Sequence, residues 1–412
     1  MLIIALVYIK INDFCGIILF EETREINVLY YEVWFMDKDL EIIKSKVLGS
    51  MLGGAIGDAM GYQIEFDRGI KEREVTKYKN NFGMISDDTQ MSLFTANSLI
   101  WCSTRFQLRG IGPNLPVATH ESYLDWLDCI NGKEHKTKYM RSWIKDVDGL
   151  KHSRAPGRTC ISSLMSGKMG SIEEPINDSK GCGGVMRVAP IGLSIDITRG
   201  GVGRAAAENN AITHGHPLGI ISSYILATMI SNIVYENSDI EDALNKAIEK
   251  YKNESIAICD KENEKLFFDL INKAIVLSKT NISDLQCINE LGEGWVAEET
   301  LAISLYSCLK HKDNFIDAII CAVNHDGDSD STGAVAGNII GSLLGYKAIP
   351  EYYINNLELK DLIIEIATDL ATPCPLDEFE PIERKEDIKW WKKYGEEHYD
   401  FENALEDNDE WY

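Results

Sequence analysis

The chemistry in this chain is concentrated in two short acidic runs, Ser86-Asp87-Asp88-Thr89 and Asp326-Gly327-Asp328-Ser329-Asp330-Ser331-Thr332. Each precedes an apolar segment of helical spacing, so part of the acidity is capping: Ser, Thr and Asp satisfy free amides at a helix N-terminus, and the dipole favours negative charge there. One cap needs one such residue. These runs hold at least four carboxylates and several hydroxyls, and the repulsion among clustered carboxylates is best relieved by cations. With the Asp, Ser and Thr side chains of these two runs as donors, a site here offers only hard oxygens, which suits magnesium or manganese and disfavours zinc. The Asp326, Asp328, Asp330 spacing imitates the start of a calcium hand, but Ser331 stands where that loop needs Gly and Gly337 where it needs Glu. On a helix Asp87 and Asp88 point about 100° apart. They can therefore serve two ions, or one ion and a substrate, and a two-metal clamp polarises oxygens and lowers the pKa of bound water.

A second segment, GCGGVMR, fits a phosphate-bearing ligand. Gly181, Gly183 and Gly184, around Cys182, let backbone amides converge on phosphate oxygens, and Ser179 can add a hydroxyl. The competing possibility is a tight turn before VAPIGL. Arg187 is expected to be a buried structural cation. In THGHP, His214 and His216 have no third soft ligand nearby to make a zinc site, and His216 is placed to cap a helix starting near Pro217. Glu298 and Glu299 are assigned structural or solvated roles, and Trp295 a place in the core.

These residues need a scaffold, and the periodicity predicts an all-α one. Apolar residues at three- and four-residue spacing mark helices over 41–62, 88–102, 202–235, 238–252, 263–279, 294–310, 314–324 and 332–346. One short helix, SYLDWLDCI, is expected between 103 and 160, and no convincing strand. Two rows stand out: Gly49, Gly53, Gly57, Gly61 and Gly333, Gly337, Gly341, Gly345. A helical glycine costs about 1 kcal/mol relative to alanine. Rows of glycine on one face therefore imply that something offsets the cost, namely close backbone approach at the centre of the molecule. Three parts are expected: an N-terminal extension (1–45), a central helical domain (46–350), and a C-terminal helix with an acidic tail packed on it (351–412), pinned by Trp390 and Trp391.

The balance of 41 Lys and Arg against 65 Asp and Glu gives a net charge of −24, which argues against a nucleic-acid or anionic-membrane partner. Lys10 and Asp13 interrupt the first apolar run well short of the roughly 20 residues a membrane span needs. Met36 opens a more conventional soluble start, so residues 1–35 are read as an upstream mis-start, with a regulatory or docking arm and a secretion or membrane signal as the alternatives. Ten cysteines without a C-x-x-C pair suggest a reducing, cytoplasmic setting.

Taken together, GSMLGGAIGDAMGYQIEF, SDDTQMSLF, RAPGRTC, GCGGVMRVAPIGL, ITHGHPLG, GEGWVAEETLAISLY and NHDGDSDSTGAVAGNIIGSLLG resemble the ADP-ribosylglycohydrolase family, including its dinitrogenase reductase-activating and bacterial ADP-ribosylarginine hydrolase types. The resemblance implies a compact helical domain with two Mg2+ (or Mn2+) ions that removes ADP-ribose from modified proteins. It matches Ser86, Asp87 and Asp88 to the first metal motif. Asp328, Asp330 and Ser331 match the second, with Ser at two positions where Thr is usual, and Asp326 falls outside it. It places Glu65 beside the metals and the reacting ribose, Ser179 to Gly184 on the phosphates, and His214 beside the ADP-ribose. The base for water is then Glu65, Asp87 or Asp88, and an N-glycosidic bond to arginine is favoured because its cationic leaving group suits an acidic cleft. Serine-linked or polymeric ADP-ribose, a non-catalytic ADP-ribose binder, and an immunity protein contacting a toxin through its N-terminal arm are the alternatives. Replacing Asp328 with Asn should abolish metal-dependent release of ADP-ribose; full turnover in excess chelator would refute the metal assignment.

Overall fold

The computed structural model describes residues 6–11, 14–19, 26–67, 74–135, 140–196, 201–254, 260–377 and 382–395, with side chains from Asp39 onward. The chain divides into two units, Met1–Lys44 and Ser45–Tyr412. The first contains an antiparallel hairpin of β1 (Leu6–Ile11) and β2 (Phe14–Leu19), with Leu6 opposite Leu19 and Ile11 opposite Phe14. The polar interruption that rules out a membrane span also cuts the run into two halves rich in strand formers, which can pair. The docking-arm expectation concerns side chains outside the described residues.

The second unit is helical, as the periodicity predicts; among its described residues the only β pairings are isolated bridges, Gly83 with Leu357 and Gly181 with Val296. α1 (Ile26–Tyr62) enters it, followed by α2 (Asp87–Arg109), α3 (Leu115–Asn131), α4 (Arg158–Met165), α5 (Ala189–Leu193), α6 (Val202–Ala211) and α7 (Pro217–Tyr235). Then come α8 (Ile240–Asn253), α9 (Lys261–Ser278), α10 (Asp284–Leu291), α11 (Ala297–Lys310), α12 (Phe315–Val323) and α13 (Ser329–Leu344). The last three are α14 (Glu351–Asn355), α15 (Lys360–Leu370) and α16 (Lys385–Tyr394). α7 carries no charged residue and is buried along nearly its whole length, which makes it the core helix. The single helix expected over 202–235 is two, because His216 and Pro217 start a new one: His216 Nδ1 accepts the Leu218 amide at 3.1 Å, the expected cap.

α1 and α13 run antiparallel with their glycine rows face to face. A Cβ on Gly49, Gly53 or Gly57 would land on the carbonyl oxygen of Gly341, Gly337 or Gly333, and one on Gly61 would land on that of Ser329. Gly345 differs from its row: it ends α13 with φ +75°, a left-handed conformation that favours glycine. Ser50 Oγ donates to the Asn338 carbonyl and Asn338 Nδ2 to the Ser50 carbonyl, both at 2.9 Å. This pair of bonds fixes the register in the middle of the contact.

At the other end of the chain Trp390 is buried, its Nε1 donating to Thr104 Oγ1 at 2.8 Å, while Trp391 is only half-buried. Gly57→Ala should lower unfolding stability by about 2–3 kcal/mol despite alanine's better propensity, because the contact is overpacked. A neutral result in chemical denaturation would contradict the backbone contact.

Candidate active site

The antiparallel pairing brings the C-terminal end of α1 to the N-terminal end of α13, and α2 begins beside them. The hinge of this junction is Asp58, a fully buried carboxylate on α1. Its oxygens accept the Ser86 amide at 3.0 Å and the Thr89 amide at 3.1 Å, and Thr89 Oγ1 donates to it as well. Asp58 thus ties the first turn of α2 to the glycine-row helix. Sequence reasoning passes over it, although the signal is there: it is the one ionisable residue in the apolar stretch GGAIGDAMG.

Ser86 caps α2, its Oγ taking the Asp88 amide at 3.2 Å. Asp87 is held from outside the helix, its amide donating to the Arg154 carbonyl and its Oδ2 accepting the Gly157 amide at 3.2 Å. Asp88 is buried, and its Oδ1 has no hydrogen-bond partner among the described residues. Asp328 caps α13, and Asp330 Oδ1 accepts the Ser331 amide at 2.9 Å. Glu65, in the turn after α1, is half-buried, and its Oε2 is likewise unpartnered. Ligand oxygens of Glu65, Asp328 and Asp330 lie within 4.8 Å of one another. Among the described residues no Lys or Arg pairs with any of these carboxylates.

The electrostatics follow from that crowding. Burial, and then the charge of Asp330, push the Asp58 carboxyl up to about 7. Burial, then Asp330, Asp328 and Asp87, push Glu65 up to about 10. Burial followed by Asp330 also raises Asp87, Asp88 and Asp328 well above the usual carboxylate range. At an effective dielectric constant near 20, two like charges 4 Å apart repel by about 4 kcal/mol. Orphaned buried oxygens, hard donors only and no counter-cation fit bound divalent ions, and Asp87, Asp88, Glu65, Asp328 and Asp330 are the side chains that could hold them. The Ser86 hydroxyl donates to Asp88 and that of Ser331 lies 3.9 Å from the Met186 sulfur, contacts that leave an oxygen lone pair of each for an ion.

The glycine segment faces this cluster. Cys182–Arg187 forms a short 3-10 turn, and the Cys182 thiol donates to Asp328 Oδ2 at 2.7 Å. Gly183 packs against Cys160 and the His214 ring, and a Cβ on Gly184 would strike Asn210 Oδ1. Ser179 Oγ lies 3.0 Å from Thr159 Oγ1 and accepts the Gly181 amide. His214 is buried under the loop, its Nδ1 2.8 Å from Thr213 Oγ1; burial and the nearby Arg187 push its pKa down to about 3, so it is neutral. Arg187 is fully buried on Asn209 and Thr213 and lies 4.2 Å from the Tyr123 ring, a structural cation as expected.

A bridge from Gly181 to Val296 joins the loop to GEGWV, and Glu299 in the first turn of α11 accepts the Glu293 and Gly294 amides. Glu298 is buried and pairs with Lys180. Trp295, expected in the core, is 42% exposed, while Val296 beside it, in the bridge to Gly181, is half-buried.

The ADP-ribosylglycohydrolase family model matches residues 39–378, and the chain belongs to that family of enzymes. It is 22% identical over 331 residues to ADP-ribosyl-[dinitrogen reductase] glycohydrolase of Rhodospirillum rubrum, covering 77% of this chain and 92% of that one. It is 21% identical over 347 residues to ADP-ribosylarginine hydrolase Tri1 of Pseudomonas putida, covering 81% of this chain and 80% of the relative. A solved structure, an ADP-ribosylglycohydrolase-related protein complex, shares the fold with a TM-score of 0.57 at 22% identity, covering 80% of this chain and 98% of that one.

Asp58 and Glu65 bind protons in the folded state that the unfolded chain has already lost above its ordinary carboxylate pKa. Stability of the metal-free protein should therefore fall as pH rises from about 4 toward about 7 for Asp58, and further up for Glu65. The melting temperature in chelator should drop between mildly acidic and alkaline pH, and excess Mg2+ should raise it more at the alkaline end. A flat profile would count against a buried, cation-free cluster.

Proposed function

We propose that this enzyme hydrolyses the N-glycosidic bond of ADP-ribosylarginine in modified proteins, with two Mg2+ or Mn2+ ions held by Asp87, Asp88, Glu65, Asp328 and Asp330. The observation that carries it is the buried carboxylate cluster with unpartnered oxygens beside an amide-rich glycine turn. That juxtaposition suits one ligand with a ribose at one end and a pyrophosphate further along. The likeness to the Pseudomonas ADP-ribosylarginine hydrolase supports the arginine linkage, and that to the Rhodospirillum ADP-ribosyl-[dinitrogen reductase] glycohydrolase supports a modified protein as the substrate.

When bound, the ions supply Lewis acidity and lower the pKa of a coordinated water. The chain's own groups do the rest. Amides of Gly183 and Gly184 are placed to orient the phosphates, those of Gly181 and Cys182 being held by Ser179 Oγ and the Trp295 carbonyl, and neutral His214 stiffens that turn from below. Glu65 is the partly exposed carboxylate of the cluster; it is protonated while the neighbouring carboxylates are uncompensated, and with divalent charge beside it, it would ionise and be suited to take the water's proton, Asp87 or Asp88 serving if it does not. Positive charge developing on the ribose ring is stabilised by the surrounding carboxylates. A guanidinium leaving group gains from the same negative field, which an O-linked serine cannot do. The eight free thiols among the described residues support a reducing, cytoplasmic setting.

Incubation with peptides carrying arginine-linked or serine-linked ADP-ribose and Mg2+ should release ADP-ribose from the arginine adduct at least about tenfold faster, a preference worth about 1.4 kcal/mol. Equal rates, or faster serine release, would remove the arginine assignment.

A further inference from the structure

Away from the cleft, three helices bring together a mixed set of metal-type donors. Asp284 opens α10, His311 follows the last turn of α11, and Cys321 lies on α12. One oxygen, one nitrogen and one sulfur from these side chains lie within 4.8 Å of one another. Tetrahedral zinc, with bonds of about 2.0 Å to N or O and 2.3 Å to S, sets its ligands about 3.3–3.6 Å apart, so side-chain adjustment is enough to close the set. His311 Nε2 is 3.1 Å from Asp284 Oδ2, and Tyr306 donates to the other oxygen, Oδ1, at 2.6 Å.

Two comparisons single this cluster out. A second mixed group, Asp125, Asp128 and His135, already contains a cation: Lys145 Nζ sits 3.1 and 2.6 Å from its two carboxylates. Around Asp284, no Lys or Arg pairs with the carboxylate among the described residues. The third group belongs to the active site and offers only oxygen. The Asp284 and His311 side chains are 37% and 27% exposed, which gives an ion a way in, while Cys321 is buried behind them.

We propose that Asp284, His311 and Cys321 bind zinc, with solvent in the fourth position. On binding, the Cys321 thiol loses its proton to solvent and a Zn–S bond forms, while His311 carries its single proton on Nδ1 and ligates through Nε2. Tyr306 keeps its bond to Asp284 Oδ1 and so acts as a positioning residue that orients the carboxylate. The ion fastens α12 to its neighbours, and α12 leads directly into the acidic run that starts at Asp326.

The test uses the full-length protein with excess Mg2+ to occupy the oxygen-rich cleft, and Co2+ as a coloured probe. Wild type should develop the near-ultraviolet sulfur-to-cobalt absorption, and Zn2+ should erase it. Cys321→Ser should lack the band, whereas Cys182→Ser, at the active-site thiol, should retain it. His311→Gln, on the exposed side where folding is not at risk, and Tyr306→Phe should each weaken Zn2+ binding by about tenfold or more. The proposal is overturned by no band in wild type, by a band that survives Cys321→Ser or disappears in Cys182→Ser, or by unchanged Zn2+ affinity in His311→Gln.

Discussion

The contact between the carbonyl oxygens of one glycine row and the bare α-carbons of the other sets the geometry of the whole catalytic unit. Gly53, Gly57 and Gly61 on α1 meet Gly337, Gly333 and Ser329 on α13 with no side chain between them. Such an approach forgoes helix propensity at every step of the rows, about 1 kcal/mol per glycine. What it provides is placement. Asp58 and Glu65 at one end of α1 come to face Asp328 and Asp330 at the start of α13, and any Cβ in the rows would push the two carboxylate sets apart.

The same closeness creates the site's electrical problem. Asp330 adds to the charge felt by Asp58, Glu65, Asp87, Asp88 and Asp328, and burial removes the water that would screen it. Local devices relieve some of this: the amides of Ser86 and Thr89 converge on Asp58, that of Gly157 on Asp87, and the first turns of α2 and α13 turn their free donors toward the cluster. None of these is a cation. The arrangement is therefore proton-rich on its own and poised for divalent ions, which links metal binding, protonation and stability in one set of residues.

The glycine turn is positioned by a different logic. Its backbone is pinned from two sides, by the bridge to Val296 and by the buried layer of His214, Arg187 and Asn210 beneath it. The Glu293 carbonyl accepts the Asp328 amide at 2.8 Å, so the GEGWV segment joins the turn and the second acidic run. A shift at either is transmitted to the other through backbone hydrogen bonds, without passing through a flexible side chain.

Much of this was legible in the sequence because it is local. Acidic runs ahead of apolar helices, glycines at every fourth residue, a capping His before Pro217 and a buried Arg187 are each encoded within a few residues, and seven blocks in order pointed to the family. Asp58, the outward turn of Trp295 and the meeting of Asp284, His311 and Cys321 were not legible, since each depends on partners tens or hundreds of residues away. The sequence by itself determined which helices form and which oxygens are available. Only the tertiary structure decided which of those oxygens share one pocket, because that depends on two helices approaching until their backbones touch.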